Sequence, residues 1–290
     1  MDLQESLKKN RFVVTSEIMP PIGSDIEELY DNIHKIRGRL DGVTVPEFEV
    51  EGVVADSIST CNILKENRFD PILQTTCREK NRLDIQSNLI KAYEQGVKNI
   101  LAFTEDYRIT GDSLQEIMFF HVDAGKLFSV VDSLKEGQDV AGREIENRAE
   151  FFVGSGVDAG VGNNVPDLEL KEMEEMVKLG AGYFLSTPVF DVDKFQKFMK
   201  RVESFGIPVI AEVILLKTAT TAHFINRHLK QGIVPDYIIQ KLAKAPQKEK
   251  ASIEIFTDII KGLKDICQGV HLIPLGWEKN IPKFLDAAKL

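Results

Sequence analysis

Eight short apolar runs recur along the chain at intervals of about thirty residues, the length of one strand-helix unit. They are RFVVTSEI (11–18), DGVTVP (41–46), DPILQTTC (70–77), VKNILAFT (97–104), EFFVGSGV (150–157), GYFLSTPV (182–189), IPVIAEVILL (207–216) and GVHLIPL (269–275). Most are rich in Val and Ile and apolar at consecutive positions rather than alternate ones. That pattern belongs to strands of a parallel sheet covered on both faces. The stretches between them carry helical spacing. Ile26, Leu29, Tyr30, Ile33 and Ile36 form one stripe over 25–37, and Leu168, Met173, Met176, Val177 and Leu179 form another over 168–179. Ser24-Asp25 and Pro166-Asp167 read as helix starts. The longer interval 105–149 is polar and contains glycine, while 217–268 has room for two or three helices.

Eight such units predict an α/β fold, a (β/α)8 TIM barrel, with a doubly wound sheet as the alternative. No Pro/Gly/Ser-rich linker divides the chain, so residues 1–290 read as a single barrel domain. Hydrophobic residues make up 43%, enough for a substantial core. With 36 Lys and Arg against 45 Asp and Glu, the formal charge is −9, which disfavours nucleic acid as a partner. The N-terminal residues show no signal-peptide pattern and no run reaches membrane-span length, so a soluble cytoplasmic protein is expected. Cys61, Cys77 and Cys267 are too few and too scattered for a disulfide framework or a zinc knuckle.

Chemistry in such barrels gathers at the C-terminal ends of the strands. Those ends are Glu17, Pro46-Glu47, Thr75 to Arg78, Thr104 to Asp106, Gly156 to Asp158, Ser186 to Pro188, Glu212 to Lys217, and Leu275 to Trp277. Glu17 closes an apolar run. Desolvation there would raise its pKa and make it a general acid, against the plainer reading of a strand-end salt bridge. Cys77 stands beside Arg78, Glu79, Lys80 and Arg82, where a cation can activate a thiol. With no His nearby in sequence and no CxxC, packing is the favoured role. Glu105, Asp106 and Asp112 could hold Mg²⁺ or orient a ring bearing N–H donors, or be a solvated acidic loop. His223 and His228 are five apart, which does not suit a helical metal pair; His34 and His121 read as helical, and His271 as a core histidine. No metal site is expected. The glycines of VGSGVDAGVGNN (153–164) could admit a phosphate to the backbone, but their spacing breaks the dinucleotide fingerprint.

Several motifs, taken together and in order, resemble one family. TSEIMPP, GVTVPE, ILQTTCREKNRLDIQSNLIKAYEQGVKNILAFTED, GDSL, KLGAGYFLSTPVFD, INRHLKQGIVPD and GVHLIPLGWE are similar to the methylenetetrahydrofolate reductases, in their short, flavin-dependent, barrel-only form. The likeness runs over nearly the whole chain, and QTTCREKNR is its most specific part. It implies a TIM barrel holding FAD noncovalently, with FMN as the alternative. The implied reaction reduces 5,10-methylenetetrahydrofolate to 5-methyltetrahydrofolate, in one-carbon metabolism and methionine biosynthesis. By resemblance, Glu17 is the acid that opens the folate's five-membered ring, and Asp106 orients the pterin near the flavin. The implied cofactor contacts are Gln74, Thr76, Cys77, Arg78, Thr104, Glu105, Asp106, Gly156 and Asp158. The implied substrate contacts are Glu17, Thr187 and Leu215. The electron donor implied is NAD(P)H or a reduced ferredoxin-type partner subunit, and a homo-oligomer is a further expectation.

Three positions depart from the family pattern. Thr187 stands where a pterin-binding Gln is usual, Met176 where a Lys meets the flavin phosphates, and Glu105 where a bare backbone is common. These departures keep two other readings open. One is a flavin-independent reductase using NAD(P)H directly. The other is a pterin-binding subunit of a methyl-transfer complex.

Overall fold

The computed structural model describes residues 2–21, 26–47, 49–50, 53–54, 56–75, 80–102, 124–160, 167–228 and 234–290. Its strands are β1 (Val13–Glu17), β2 (Gly42–Val45), β3 (Glu49–Val50), β4 (Val53–Val54), β5 (Pro71–Thr75), β6 (Asn99–Ala102), β7 (Phe152–Val157), β8 (Tyr183–Pro188), β9 (Val209–Ile214) and β10 (Gly269–Ile273). The short β3 and β4 pair with each other, antiparallel. The other eight close into a barrel of order β1-β10-β9-β8-β7-β6-β5-β2, and every pairing in it is parallel. Each of the eight apolar runs supplies one barrel strand, and closure excludes the open doubly wound alternative.

The helices are α1 (Leu3–Lys8), α2 (Glu27–Ile36), α3 (Ser57–Glu66), α4 (Arg82–Glu94), α5 (Ala124–Lys135), α6 (Asp167–Lys178), α7 (Val192–Val202), α8 (Ala219–His228), α9 (Asp236–Lys244), α10 (Lys248–Leu263) and α11 (Ile281–Ala288). The two segments with helical spacing become α2 and α6, although Ile26, Leu168 and Leu179 of the expected stripes are exposed. The 217–268 interval holds α8, α9 and α10. His34 lies on α2, and His223 is exposed on α8.

The core has two layers, as a closed barrel demands. Val14, Val43, Leu73, Ile100, Val153 and Phe184 face outward and pack beneath the helices. Val13, Ile72, Leu101, Tyr183, Leu185 and Ile210 fill the barrel interior. Leu3 and Leu7 of α1 join this interior set and plug the N-terminal end. That helix was not anticipated, although Asp2 accepts the Glu5 N–H as an N-cap and Leu3 and Leu7 are one turn apart. Asp70 anchors it by accepting the Leu3 N–H at 2.8 Å.

Gly154 shows how the interior is filled. A Cβ at this position would overlap the ring of Tyr183, which lies across it from the next strand. Gly154 therefore makes room for an aromatic core residue, not for a phosphate as its motif allowed. The C-terminal half of the interior is left to polar side chains, and there the mouth begins.

Candidate active site

The two-residue period of a strand decides which residues enter the mouth. Val13, Ile72 and Ile210 point into the interior. Glu17, Gln74 and Glu212 lie an even number of residues beyond them, so they share the inward face nearer the C-terminal end. Gly156, two beyond Gly154, presents bare backbone there.

Glu17 ends β1 beside its register partner Thr44. Its carboxyl has neither a cation nor a hydrogen-bond donor among the described residues. Burial pushes its pKa up to about 7, with the negative charge of Glu278 adding to the rise. The salt-bridge reading of Glu17 has no support in this geometry. Glu212, on β9, is also held well above the ordinary carboxylate range, first by burial and then by the charge of Glu17. Between β1 and β9 runs β10, whose His271 registers with Thr15 on one side and Glu212 on the other. Its Nδ1 lies 2.9 Å from Thr15 Oγ1, and burial lowers its pKa to about 3, so the ring is neutral. This is the satisfied core histidine expected from the sequence.

The turn after β10 brings Glu278 to the same side. Trp277 N–H donates to Pro274 O at 3.0 Å, and Leu275 and Gly276 have φ of 49° and 74°. Two successive positive φ angles define a type I′ turn, and a leucine in one of them is strained. Glu278 Oε1 accepts the Gly276 N–H at 3.1 Å. Lys217 Nζ lies 5.8 Å from the centre of the Trp277 ring.

The β7–β8 side is arranged differently. A register shift between Leu185 and Pro188 interrupts β8, and Ser186 Oγ accepts the Glu212 N–H there at 3.3 Å. Thr187 Oγ1 accepts the Ala159 N–H at 3.2 Å and donates to Asp158 Oδ1 at 3.4 Å. Asp158 Oδ1 also accepts the Gly160 N–H at 2.8 Å. The Asp158 N–H is taken by Glu169 Oε1 of α6 at 2.6 Å. Three consecutive amides, 158 to 160, are thus filled by the chain's own side chains. Burial raises the Asp158 carboxyl, and these donors pull against the rise.

On the β2–β5 side, Glu47 accepts from Thr75 Oγ1 at 3.1 Å and pairs with Lys80. Gln74 is half-buried in the mouth. The remaining expected residues, Thr76, Cys77, Arg78, Thr104, Glu105 and Asp106, lie outside the described residues, as do Asp112 and His121. Leu215 is 1% exposed and packs in the outer core, its N–H bonded to Ile273 O at 3.0 Å. Met176 is half-buried against that same core.

The structure thus brings Glu17 together with two carboxylates that the sequence reading had not assigned a role, Glu212 and Glu278. The signal for Glu212 was present in VIAEVI, an acid at an inward position of an apolar strand, the same signal that marked Glu17. Among the described residues, no group of His, Cys, Asp and Glu is placed to hold a metal ion. No described helix is long and apolar enough to cross a membrane.

Comparison with known proteins gives this mouth a context. In fold, the chain is similar to an uncharacterized protein from Clostridium thermocellum that binds two copies of 5-methyl-5,6,7,8-tetrahydrofolic acid. The match has a TM-score of 0.64 at 12% identity and covers 99% of this chain and 98% of that one. It is also similar to a tryptophan synthase structure from M. tuberculosis, with a TM-score of 0.56, 9% identity, and 99% and 96% coverage. At such identities these likenesses speak to fold alone. In sequence, it is 23% identical over 317 residues to methylenetetrahydrofolate reductase 2 of Schizosaccharomyces pombe. That match takes in 100% of this chain but 47% of the yeast protein, so the chain spans about half the length of this relative. The family model described as methylenetetrahydrofolate reductase matches residues 2–289, and the chain therefore belongs to the methylenetetrahydrofolate reductase family.

Proposed function

We propose that the chain reduces 5,10-methylenetetrahydrofolate to 5-methyltetrahydrofolate, with Glu17 as the general acid. The observation that carries this reading is an inward carboxyl, without a cation or hydrogen-bond donor among the described residues, whose pKa is pushed up to about 7 at the mouth of a barrel of this family. A group with that value is still partly protonated at neutral pH and gives its proton readily, the condition for an efficient general acid. Glu17 would protonate the folate's bridging nitrogen, which opens the five-membered ring and makes the methylene carbon an acceptor for hydride. The neutral His271 beneath adds no positive charge that would pull Glu17 toward its ionised form. Asp106 is the proposed partner of the pterin's N–H groups, since an ionised carboxylate is an acceptor only. Thr187 is a proposed wall of the pterin site.

A flavin, FAD or FMN, fits the described part of the mouth. Gly156 leaves bare backbone for a flat ring, and Gln74 offers an amide that can both donate and accept. When bound, it would supply the hydride. Gln74, Thr76, Cys77, Arg78, Thr104, Glu105, Asp106, Gly156 and Asp158 are its proposed contacts. The proposed source of electrons is NAD(P)H or a reduced ferredoxin-type partner.

One observation favours a second reading, a reductase of the same family that takes hydride directly from NAD(P)H. The amides of 158 to 160 are already filled, and Met176 packs on the core, so that side has little to offer a flavin phosphate. A visible spectrum of the purified chain, followed by anaerobic reduction and addition of 5,10-methylenetetrahydrofolate, tests both. Flavin bands that bleach and then return with the folate support the first reading. Folate reduction by NAD(P)H without any flavin band supports the second, and no reduction by either route overturns both.

A further inference from the structure

Glu212 has no place in the reaction outlined above, yet it belongs to a row of polar side chains at the bottom of the mouth. Thr15 of β1 registers with His271 of β10, and His271 registers with Glu212 of β9. Thr15 follows the interior residue Val13 by two positions, and Glu212 follows the interior residue Ile210 by two. His271 follows Gly269 by two, and a Cβ on Gly269 would meet the Val13 side chain. All three side chains therefore point inward from adjacent strands at one level. They form a floor one step below Glu17, which lies two residues beyond Thr15.

Two members of this row are tied to each other. Thr15 Oγ1 and His271 Nδ1 are 2.9 Å apart, and the histidine is 2% exposed. Glu212 is pinned through its backbone instead. Its N–H donates to Ser186 Oγ at 3.3 Å, and its carbonyl accepts the Val189 N–H at 2.9 Å. The Glu212 side chain stays partly open to the mouth, with no hydrogen-bond or ion-pair partner among the described residues. Glu17 above it is another carboxyl, and Lys217 of the β9 loop sits over the Trp277 ring. A desolvated carboxyl without a counter-charge keeps its proton. It then has one O–H to donate and one oxygen to accept with, the pattern of an amide.

A folate that meets Glu17 through its bridging nitrogen must lie over this floor. From β1 to β9 is two strand spacings, roughly 10 Å around the wall. The far ring of a pterin can span that gap. That ring carries a carbonyl beside a ring N–H, the complement of a neutral carboxyl. We propose that Glu212 is a specificity-determining residue of the substrate site: its carboxyl donates to the ring carbonyl of the pterin and accepts the neighbouring ring N–H. The exocyclic amino group is left to Asp106.

This role rests on the proposed folate chemistry, but its test needs no turnover. The probe is 5-methyltetrahydrofolate with ¹³C at the ring carbonyl, bound to the parent chain, Glu212→Leu and Glu212→Gln. A hydrogen bond to a carbonyl lowers its stretching frequency, which isotope-edited infrared spectra read directly. The band should lie lower in the parent and in Glu212→Gln, whose amide keeps one donor and one acceptor, than in Glu212→Leu. Calorimetric affinity should fall by roughly 10- to 100-fold in Glu212→Leu and change only a few-fold in Glu212→Gln. The same band position in Glu212→Leu as in the parent overturns the proposal. So does an unmoved folate band with weakened flavin binding, which would give this edge to the flavin.

A second readout uses the parent chain with ¹³C-labelled glutamate, so it stands even if Glu212→Leu does not fold. The protonated carboxyl band that disappears in Glu212→Gln belongs to Glu212, and it should shift when unlabelled 5-methyltetrahydrofolate binds. A Glu212 band that ignores the folate overturns the proposal. Should the folate bind with both bands moved yet never be formed by reduction, the reductase reading falls and the role of Glu212 stands. Should reduction proceed with both bands unmoved, the reverse holds.

Discussion

The two sides of the barrel mouth use the same kind of residue in opposite ways. On the β7–β8 side, Asp158 and Glu169 are carboxylates whose oxygens accept backbone N–H groups, and Thr187 joins them. On the β1–β10–β9 side, Glu17 and Glu212 face the mouth without donors or cations among the described residues. The first arrangement ties two strand ends to α6 and leaves little chemical potential to exploit. The second holds protons where solvent would ordinarily strip them away. A carboxylate that is fully bonded is structure; one that is desolvated and unpaired costs stability and is retained where chemistry needs it.

The largest effect expected from breaking this contrast is on turnover. Glu17→Gln keeps the size and polarity of the side chain and removes only the proton. It should lower kcat for folate reduction by roughly 10²- to 10⁴-fold, the usual contribution of a general acid. Binding of the proposed flavin, read from the visible spectrum, should be unchanged. Turnover at the parent rate would show that the desolvated side of the mouth is not where the proton comes from.

The same substitution should stabilise the fold. The folded pKa of Glu17 is about 7 against an ordinary 4.5, so the folded state binds more protons than the unfolded state between these values. Stability from this group is therefore lost as pH rises from 4.5 to 7, and the full penalty is present above pH 7. A rise of this size corresponds to up to about 3 kcal/mol. Glu17→Gln should unfold at higher denaturant concentration than the parent at pH 8, and the gain should vanish below pH 4.5. A variant less stable than the parent at pH 8 would restore the salt-bridge reading of Glu17.

Much of the fold was legible because a parallel barrel writes a simple rhythm. All eight barrel strands were marked by short apolar runs, most of them rich in Val and Ile, since a strand buried on both faces is apolar along its length. What escaped was short or depended on closure. The α1 plug has only Leu3 and Leu7 to announce it, and the β3–β4 hairpin is two residues a side. Of the site, Glu17 could be named because a lone acid at the end of an apolar run is visible in one dimension. Its sharing a mouth with Glu212 could not, since 195 positions separate them and only the barrel order leaves a single strand, β10, between β1 and β9. Thr187 was visible as a departure from the family pattern, but its bonds to Asp158 and Ala159 depend on the irregular end of β8. Gly154 looked like phosphate chemistry until the Tyr183 ring was seen lying over it.

A smaller effect is expected from the bonded side. Thr187→Val keeps the branched shape and removes the hydroxyl, leaving the Ala159 N–H without its acceptor and Asp158 without one donor. The loss should be about 1 kcal/mol of stability in denaturant unfolding, the usual net worth of such hydrogen bonds. The Asp158 carboxyl should become easier to protonate, because the Thr187 hydroxyl is one of the donors that favour its ionised form. Folate turnover should change less than tenfold, since Thr187 is a wall of the proposed pterin site and carries no proton in the proposed reaction. A collapse of kcat comparable to that of Glu17→Gln, in a variant that unfolds like the parent, would reverse the contrast: the bonded side would then be the reactive one.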